Sequence, residues 1–507
     1  MAPPRLPPSP LLVKLAASVG FLADAYDLFV INIATTILRS VYPAAPPWSE
    51  PLVKSAILLG TIAGQVGLGA AGDRLGRRAA FLVSMGVCIV CSTLSGVAVR
   101  RIGTDASVFG ALAACRLLLG VGIGGEYPLS AAIVAEATAE AAAGGQSRAL
   151  ATVFSMQGLG NCAAPLLAWA LLAAGVPLDL AWRLVLCAGA LPFVATMPLR
   201  LRLSDSLEYA AAKKRLRPAA EWASEIWRAH RAALAGTAGS WFLFDIVFYG
   251  NGLFQADFVQ LLRPADEVGT RDGLVATARV SLLISLLGLP GYWAAVALAR
   301  DDMRSQRNVQ ALGFGACALI YAVMARWFAQ VRASPPLFVL LYGSSFFFSN
   351  CGPNTTTFIL PACYFPAKHR AVCHGLSAAA GKLGALVAAL VFRPCVVRFG
   401  PAAVFAACAV VSASGLCFTW ALVPTAPCAP DSLDASGLAE ALTSPTADDG
   451  HAADEADDRA GAYEPGEPAE ALLHDAVAGA AIADVRRATP ADGDHSGSET
   501  VAQVNDI

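Results

Sequence analysis

Twelve apolar tracts constrain this chain more strongly than any other feature of its sequence. A helix needs about 20 predominantly apolar residues to cross the hydrocarbon core of a bilayer. The tracts cover residues 11–38, 52–71, 79–100, 108–135, 148–174, 181–200, 233–256, 276–299, 309–328, 337–361, 372–396 and 401–423. Because a bilayer leaves unpaired backbone groups unsatisfied, each tract is predicted to form a helix. We therefore expect an all-α membrane protein with twelve transmembrane helices.

The composition supports a membrane protein. Hydrophobic residues make up 56% of the 507 residues and charged residues only 15%, and the mean hydropathy is +0.56. A soluble chain of this length could not bury so much apolar surface. The 13 cysteines are scattered, without the spacing of a zinc site or a dense disulfide framework. We expect no metal and no cofactor.

The charges divide the chain into a basic body and an acidic tail. Residues 431–507 contain 18 Asp and Glu but only three Lys and Arg, whereas the preceding residues contain 33 basic and 20 acidic ones. Such a polar segment with few aromatic residues cannot bury enough surface to become ordered. Residues 425–507 are therefore predicted to form a disordered cytoplasmic tail. Proteins that bind this tail are conceivable partners, but no motif identifies them.

The loops predict orientation and domain organisation. Lys and Arg collect in alternate loops, at 72–78, 213–231, 300–307 and 366–370, which places these loops and both termini in the cytoplasm. The segment 202–232 is predicted to be a cytoplasmic amphipathic linker on the membrane surface. It separates an N-terminal six-helix bundle, residues 1–201, from a C-terminal six-helix bundle, residues 233–424.

The two bundles show weak internal symmetry, since an Asp- and Arg-rich loop follows the second tract of each. A repeated bundle predicts a transporter with its binding site between the halves.

Ionisable residues inside these tracts need a partner, water or a function. In the first tract, Asp24 and Asp27 are three residues apart and share a helix face. Two carboxylates in a low-dielectric cavity cannot both ionise easily, so one is a candidate proton carrier. The alternative is that the helix begins later and that both acids are solvated at its mouth.

The fourth tract contains "RLLLGVGIGGEYPLS", residues 116–130, in which three glycines match the dinucleotide spacing G-x-G-x-x-G. That motif requires a preceding strand and a following helix, whereas the flanking residues predict one continuous helix. We interpret the glycines as a helix-packing surface. Arg116 and Glu126 lie about 15 Å apart along such a helix and cannot pair with each other.

The seventh tract carries a polar stripe. Trp241, Asp245 and Tyr249 are spaced by four residues and share one helix face. A protonated Asp245 can donate a hydrogen bond to an anion that an ionised Asp245 would repel, which couples a proton to an anion. The alternative is an aromatic packing stripe in which a hydroxyl satisfies Asp245.

Three further polar side chains fall inside tracts. Gln157 suits a polar ligand or, alternatively, joins two helices by a hydrogen bond. Asn354 lies in the tenth tract and Lys382 in the eleventh. In the absence of an anion, we expect Lys382 to be neutral or to pair with an acid such as Asp24 or Asp27.

Together these stretches resemble the phosphate:proton symporters of the major facilitator superfamily. The resemblance rests on "GFLADAYDLFVINI", "GDRLGRR", "LGVGIGGEYPLSA", "VFSMQGLG", "WFLFDIVFYGNGLFQ", "CGPNTTTF" and "HGLSAAAGKLGA", in that order. "GDRLGRR" alone is typical of the whole superfamily, whereas "GGEYPLSA" with "WFLFDIVFY" is specific to the phosphate branch. The resemblance implies the major facilitator fold, two pseudo-symmetric bundles of six helices each.

The resemblance also implies roles for individual residues. The implied phosphate ligands are Tyr127, Gln157, Trp241, Asp245, Tyr249, Asn354 and Lys382. The implied proton-coupling acids are Asp24, Asp27, Glu126 and Asp245. The implied cytoplasmic gate consists of Asp73, Arg74, Arg77, Arg78 and Arg116.

Three positions depart from the family pattern. Glu126 stands where the family usually has Asp, Cys363 replaces a carboxylate expected at the gate, and Glu208 replaces a basic residue after the sixth tract. Since the ligand positions are intact, we expect the substrate to be retained.

We therefore expect proton-coupled uptake of inorganic phosphate by alternating access, through a multi-pass protein of the plasma membrane. The alternatives are a proton-coupled carrier of another small solute, such as a sugar or another oxyanion, and a phosphate sensor with little transport. No catalytic constellation indicates an enzyme, and no feature indicates a nucleic acid partner. The expected partners are phosphate, protons and the lipid bilayer.

Overall fold

The computed structural model describes residues 10–140, 145–201 and 219–426. The chain divides into two units, Met1–Ala441 and Leu442–Ile507, and every described residue belongs to the first. The predicted acidic tail beyond residue 426 and Glu208 lie outside the described residues, as does the linker as far as residue 218.

Helices account for the six predicted tracts of the first half. They are α1 (Pro10–Val41), α2 (Ser49–Leu75), α3 (Arg77–Val97), α4 (Asp105–Glu140), α5 (Gln146–Ala173), α6 (Leu178–Cys187) and α7 (Ala190–Arg200). The sixth tract is divided between α6 and α7 at Ala188 and Gly189.

The second half repeats this organisation with more interruptions. Its helices are α8 (Ala219–Leu253), α9 (Gln255–Gln260), α10 (Arg271–Leu298), α11 (Met303–Arg326), α12 (Phe328–Ala333), α13 (Pro335–Ser349), α14 (Thr355–Tyr364), α15 (Ala367–Phe399) and α16 (Pro401–Leu422). Helix α8 runs without a break from residue 219, so the predicted boundary between residues 232 and 233 falls inside it.

The tenth tract is broken where two polar side chains enter the protein. A π-helical turn, Asn350–Asn354, joins α13 to α14, and Gly352 within it has non-helical dihedral angles (φ −104°, ψ −110°). Pro353 adds to the break because it lacks a backbone N–H. Eleven described helical segments are long and apolar enough to span a membrane; α13 and α14 together supply the remaining span.

Helix contacts reveal the pseudo-symmetry. In the first half α2 packs on α4 and α1 on α5, and in the second half α10 packs on α13 and α8 on α15. These pairs are equivalent after a shift of six spans. The halves meet along two seams, α2 with α15 and α5 with α10, which the same shift interchanges. The described helices therefore have the predicted major facilitator architecture.

Glycines bring α2 and α4 into close contact. A Cβ atom on Gly124 would lie 2.9 Å from Gly64 Cα and 2.8 Å from Gln65 N, and one on Gly60 would lie 3.0 Å from Gly120 Cα. No side chain could yield there, because these neighbours are backbone atoms. Gly122 instead faces Ser84 and Cys88 on α3, and Gly125 lies between Leu68 of α2 and Ser84 of α3. The interpretation of this glycine motif as a helix-packing surface is thus confirmed.

The outer surface is apolar and the interior polar. On α3, Val83, Val90 and Val97 are 57%, 55% and 62% exposed, and their spacing of seven residues places them on one helix face. On the opposite side of the same helix, Ser84 and Ser92 are completely buried. This distribution suits a protein whose surroundings are lipid rather than water.

The helix bundle has two ends. We call the end at which α7 stops and α8 begins the linker end, and the end at which α1 stops and α2 begins the opposite end.

Candidate functional site

A buried ion pair joins α8 to α15. Lys382 Nζ donates a 2.7 Å hydrogen bond to Asp245 Oδ2, and each residue is only 1% exposed. Ions withdrawn from water in this way are tolerated only when paired. The predicted pairing of Lys382 with Asp24 or Asp27 is wrong: α8 and α15 are direct neighbours, whereas the two first-tract acids have other surroundings.

Three aromatic rings surround the Lys382 ammonium. The distances from Nζ to the ring centroids are 4.3 Å for Tyr249, 5.4 Å for Tyr127 and 5.9 Å for Trp241. The ring faces stabilise a desolvated cation. The predicted stripe of Trp241, Asp245 and Tyr249 therefore faces Lys382, and α4 contributes Tyr127 from the other half of the protein.

An amide network extends this site toward α10. Asn354 Nδ2 donates to Tyr292 Oη at 2.9 Å and to Asn350 Oδ1 at 2.8 Å. Asn161 Nδ2 lies 3.5 Å from the same hydroxyl oxygen. Because the Tyr292 oxygen accepts these bonds, its own hydrogen can point to an acceptor such as an oxyanion.

A cavity lies beside the network, between the two halves. It has an empty volume of about 580 Å³ including its open mouth. Its polar lining is uncharged and consists of Asn32, Asn161, Gln255, Ser281, Ser285, Tyr292 and Asn350. Gln157, next to the lining residue Gly158, is 1% exposed, and its Oε1 atom has no hydrogen-bond partner. An amide oxygen in this state suits a ligand that can donate a proton.

The acids of the first half occupy two different environments. Arg200, the last residue of α7, binds Glu126 through two hydrogen bonds, from Nη1 to Oε1 at 2.5 Å and from Nη2 to Oε2 at 2.9 Å. Asp24 lies near this pair and is fully buried, and neither of its carboxylate oxygens has a hydrogen-bond partner among the described residues. A buried carboxyl group without a partner is stable only in its neutral form.

Asp27 lies closer to the opposite end. Ser92 Oγ donates to Asp27 Oδ2 at 2.6 Å, and Arg116 Nη1 donates to the Asp27 backbone oxygen at 3.0 Å. All three residues are completely buried. Both first-tract acids thus lie inside the protein, and the alternative of a solvated helix mouth does not apply.

The predicted gate residues do not form one cluster. Arg77 Nη2 binds Glu136 Oε1 at 3.0 Å, and Arg78 Nη2 donates to the Leu201 backbone oxygen at 3.1 Å, both at the linker end. Arg116 lies 20 residues before Glu136 on α4, about 30 Å along the axis. Assigning Arg116 to this gate was therefore wrong. The side chains of Asp73 and Arg74 lie outside the described residues.

The halves contact each other at the linker end. Asp301, between α10 and α11, accepts hydrogen bonds from the backbone N–H groups of Gly145 and Ser147, the latter at 2.7 Å. A carboxylate is favourable there because the N-terminus of α5 carries partial positive charge. Ser147 Oγ lies 3.7 Å from Cys363 Sγ, so the departing residue Cys363 also faces the other half.

A charge cluster joins the halves at the opposite end. Glu50 binds Lys54 at 2.5 Å, Arg39 at 3.4 Å and Arg393 at 2.9 Å. Asp257 on α9 binds Arg39 at 2.8 Å and lies 3.6 Å from Lys54. We call these five residues the opposite-end cluster. The structure thus has polar contacts between the halves at both ends.

Sequence reasoning missed several residues of the site. Arg200 lies at the end of the sixth tract, where a basic residue is common and does not by itself indicate a buried ion pair. Tyr292 and Asn350 were neutral residues in apolar tracts, and the opposite-end cluster is dispersed over four helices. Only Glu50 and Lys54, four residues apart on α2, carried a pairing signal in the sequence.

Comparison with known proteins agrees with this architecture. The family model of the Major Facilitator Superfamily matches residues 19–389. The solved proton:xylose symporter XylE, bound to 6-bromo-6-deoxy-D-glucose, superposes with a TM-score of 0.63 at 16% identity, covering 82% of this chain and 96% of that one. The human organic anion transporter MFSD10 gives a TM-score of 0.60 at 17% identity, covering 81% and 100%. The chain is a multi-pass membrane transporter of the Major Facilitator Superfamily.

Sequence relatives narrow the class. Inorganic phosphate transporter 1-6 of Oryza sativa subsp. japonica is 35% identical over 440 residues, covering 75% of this chain and 81% of the relative. Low affinity inorganic phosphate transporter 4 of Lotus japonicus is 34% identical over 438 residues, covering 74% and 81%. Within the superfamily, the chain belongs to the family of inorganic phosphate transporters.

Proposed function

We propose that this protein takes up inorganic phosphate together with protons by alternating access. The relatives' names indicate the substrate. The observation that carries the proposal is the Lys382–Asp245 pair: a cation buried inside the protein whose counter-ion is a group that can be neutralised. When a proton binds Asp245, the Lys382 ammonium loses its partner and becomes available to an anion.

The phosphate would bind around this ammonium. Tyr127, Trp241 and Tyr249 already surround Lys382, and protonated Asp245 would donate to a phosphate oxygen. Gln157 and Asn354 would contribute amide groups. The unpartnered Oε1 of Gln157 can accept a hydrogen bond from a P–OH group, which favours dihydrogen phosphate over an oxyanion without a proton.

The protons would bind inside both halves. The candidates for this role are Asp24, Asp27 and Glu126 in the first half, and Asp245 carries it in the second. All four are at most 1% exposed, so each protonation is coupled to opening of the protein toward one side.

The contacts at the two ends would act as gates. Opening at the linker end requires Asp301 to leave the N-terminus of α5, and opening at the opposite end requires Glu50 and Asp257 to leave their basic partners. The two six-helix bundles, 1–201 and 233–424, would rock about the central site. We place the linker end and both termini in the cytoplasm and the protein in the plasma membrane.

The test is uptake of labelled phosphate into proteoliposomes under an imposed pH gradient, acid outside. Uptake should rise with the gradient and collapse when a proton ionophore is added. Lys382→Gln should reduce uptake at low phosphate by about 10- to 100-fold, as expected when a charged hydrogen bond is lost. Arg263→Gln, in a partly exposed pair with Glu267 away from Lys382 in the sequence, is the control and should transport normally. Absence of phosphate uptake by the parent protein would refute the proposal.

Two alternatives predict different results. A carrier of sugar or sulfate would show gradient-driven uptake of that solute but not of phosphate. A sensor that signals through its tail would lose its output when residues 431–507 are deleted, whereas a carrier should keep its transport rate.

A further inference from the structure

Arg200 is a completely enclosed partner of an acid in the first half. It is 0% exposed and binds both oxygens of Glu126. Its guanidinium also lies 4.2 Å from the centroid of the Phe81 ring, and Nη2 is 3.4 Å from the Ala16 backbone oxygen. Bidentate pairing fixes the Glu126 carboxylate in orientation as well as in charge.

The neighbouring helix is shaped to admit this pair. Gly20 on α1 faces it: a Cβ atom there would lie 2.6 Å from Glu126 Oε2 and would also collide with Arg200 Nη2. A side chain at position 20 would therefore displace the paired ends of Glu126 and Arg200 from this geometry. Glu126 is one methylene longer than aspartate, and the space left by Gly20 accommodates its carboxylate beside α1.

Among the buried acids of the first half discussed above, Asp24 is the one whose carboxylate has neither an ion-pair nor a hydrogen-bond partner among the described residues. Glu126 is neutralised by Arg200 and Glu136 by Arg77. The Asp27 carboxylate accepts a hydrogen bond from Ser92, and the neighbouring Arg116 binds the Asp27 backbone oxygen. The ionisable groups around Asp24 are Asp27 on its own helix, Glu126 and Tyr127 on α4, Cys88 on α3 and Arg200 on α7. Among the described residues, the single cation in this group is already committed to Glu126.

We propose that Arg200 is a positioning residue that keeps Glu126 as a fixed anion, so that Asp24 alone carries the transported proton of the first half. This deepens the proposed function and rests on it. A proton from one side of the membrane binds the Asp24 carboxylate to form a neutral carboxyl group, and leaves it to the other side as the carboxylate is restored. Glu126 and Arg200 exchange no proton.

Burial couples the protonation of Asp24 to conformation. With Asp24 neutral, the pocket carries no net charge and can close. An ionised Asp24 would be buried without a counter-ion, because the Arg200 guanidinium is already bound to Glu126. The pocket therefore closes only after a proton binds Asp24, whether the Glu126–Arg200 pair is present or is replaced by two neutral side chains.

The test compares single and double neutralisation in proteoliposomes. Glu126→Gln leaves Arg200 buried without its partner, and Arg200→Gln leaves Glu126 buried without its own, so each should lower gradient-driven uptake by at least about tenfold. The double variant Glu126→Gln/Arg200→Gln removes both charges and should recover most of the uptake, with dependence on the pH gradient intact. Asp24→Asn should lose gradient-driven accumulation but retain phosphate exchange between the two sides.

The proposal would be overturned if the double variant behaved like Asp24→Asn. If the double variant keeps phosphate exchange but, like Asp24→Asn, no longer accumulates phosphate under a pH gradient, Glu126 is itself a proton carrier. Arg200→Lys should keep the charge but widen the pH range over which uptake falls, because a lysine holds the carboxylate less rigidly.

A readout without phosphate separates this inference from the proposed function. In detergent, each single variant should lower the melting temperature and the double variant should restore it, whereas Asp24→Asn should leave it unchanged or raise it. If the parent protein moved no phosphate while this melting pattern held, the transport assignment would fail and the Arg200–Glu126 pairing would stand. Failure of the double variant to regain stability would overturn the pairing itself.

Discussion

At the scale of single residues, the ion-pair and hydrogen-bond partners of each ionisable group determine what its protonation does. Asp245 and Asp24 are both buried acids, but Asp245 has Lys382 at 2.7 Å and Asp24 has no hydrogen-bond partner for either oxygen. Protonation of Asp245 therefore frees a cation, whereas protonation of Asp24 removes an unpaired anion. We expect the first event to control phosphate binding and the second to control closure.

Replacing Asp245 by Asn tests this division. Asp245→Asn keeps a hydrogen-bonding group next to Lys382 but cannot titrate, so phosphate binding should lose the pH dependence that Asp245 contributes and keep only that of phosphate's own ionisation. In the parent protein, affinity should fall as pH rises, because deprotonated Asp245 reclaims Lys382. The measurement is phosphate affinity of purified protein between pH 5 and pH 8. An unchanged pH dependence in the variant would contradict the role of Asp245.

Gly20 gives a second prediction at this scale. Gly20→Ala places a methyl group against the Arg200–Glu126 pair and should destabilise the protein by about 1–3 kcal/mol, the usual cost of overpacking. Gly67→Ala is the matched control, since a Cβ atom there meets no neighbour within 4 Å. Thermal unfolding in detergent measures both. Equal melting temperatures for the two variants would show that the pair has room to move.

At the scale of elements, breaks and close contacts place the site residues. The π-helical turn in the tenth tract directs Asn350 and Asn354 toward Tyr292. Against it packs Gly313 of α11, where a Cβ atom would lie 2.7 Å from Gly352 Cα. The tract is therefore interrupted at the point where it supplies polar groups, as in transporters whose discontinuous helices line the substrate site.

The close packing of α2 against α4 can be tested with two glycine substitutions in α4. Gly124→Ala would force α4 away from the α2 backbone, and Tyr127, one turn further along α4, would move away from Lys382. Transport should fall severalfold and the melting temperature should drop. Gly110→Ala on the same helix, where a Cβ atom has no neighbour within 4 Å, should stabilise α4 slightly or change nothing. Identical effects of both variants would contradict the packing argument.

At the scale of the whole molecule, the two halves are joined by polar contacts at each end and by helix seams between them. The opposite-end cluster links α1 and α2 of one half to α9 and α15 of the other. Glu50 is its hub, because three basic residues bind it. Closure at this end depends on ionic pairs that can be broken without disturbing a hydrophobic core.

Glu50→Gln should shift the protein toward a state open at the opposite end. Neutralising Glu50 takes away the acid that binds Arg393 and leaves Asp257 to balance Arg39 and Lys54. Arg393 of the second half is then repelled by these two basic residues of the first. A cysteine placed in the cavity, Ser285→Cys, should then react faster with a membrane-impermeant thiol reagent than the same cysteine in the parent. The variant without Ser285→Cys controls for native thiols. Unchanged reactivity would mean that other contacts hold this end closed.

Much of the fold was predictable, because the helix period and the bilayer thickness act locally. The twelve tracts, the repeat and the glycine packing surface follow from residues close together in the sequence. The stripe of Trp241, Asp245 and Tyr249 followed for the same reason, since residues four apart on one helix share a face. The interruption at Gly352 and Pro353 was not predicted, because the whole tract is apolar enough to appear continuous.

The sequence by itself determined which residues lie on each helix and which ionisable groups are withdrawn from water, because composition and periodicity set both. Only the tertiary structure decided which of these ionisable groups form pairs. Lys382 takes Asp245, Glu126 takes Arg200 and Asp27 lies beside Arg116, leaving Asp24 alone. The Glu126–Arg200 partners are 74 residues apart and the Asp245–Lys382 partners 137. Pairing over such sequence distances depends on which helices pack together, and the residues around each partner do not indicate which helix that will be.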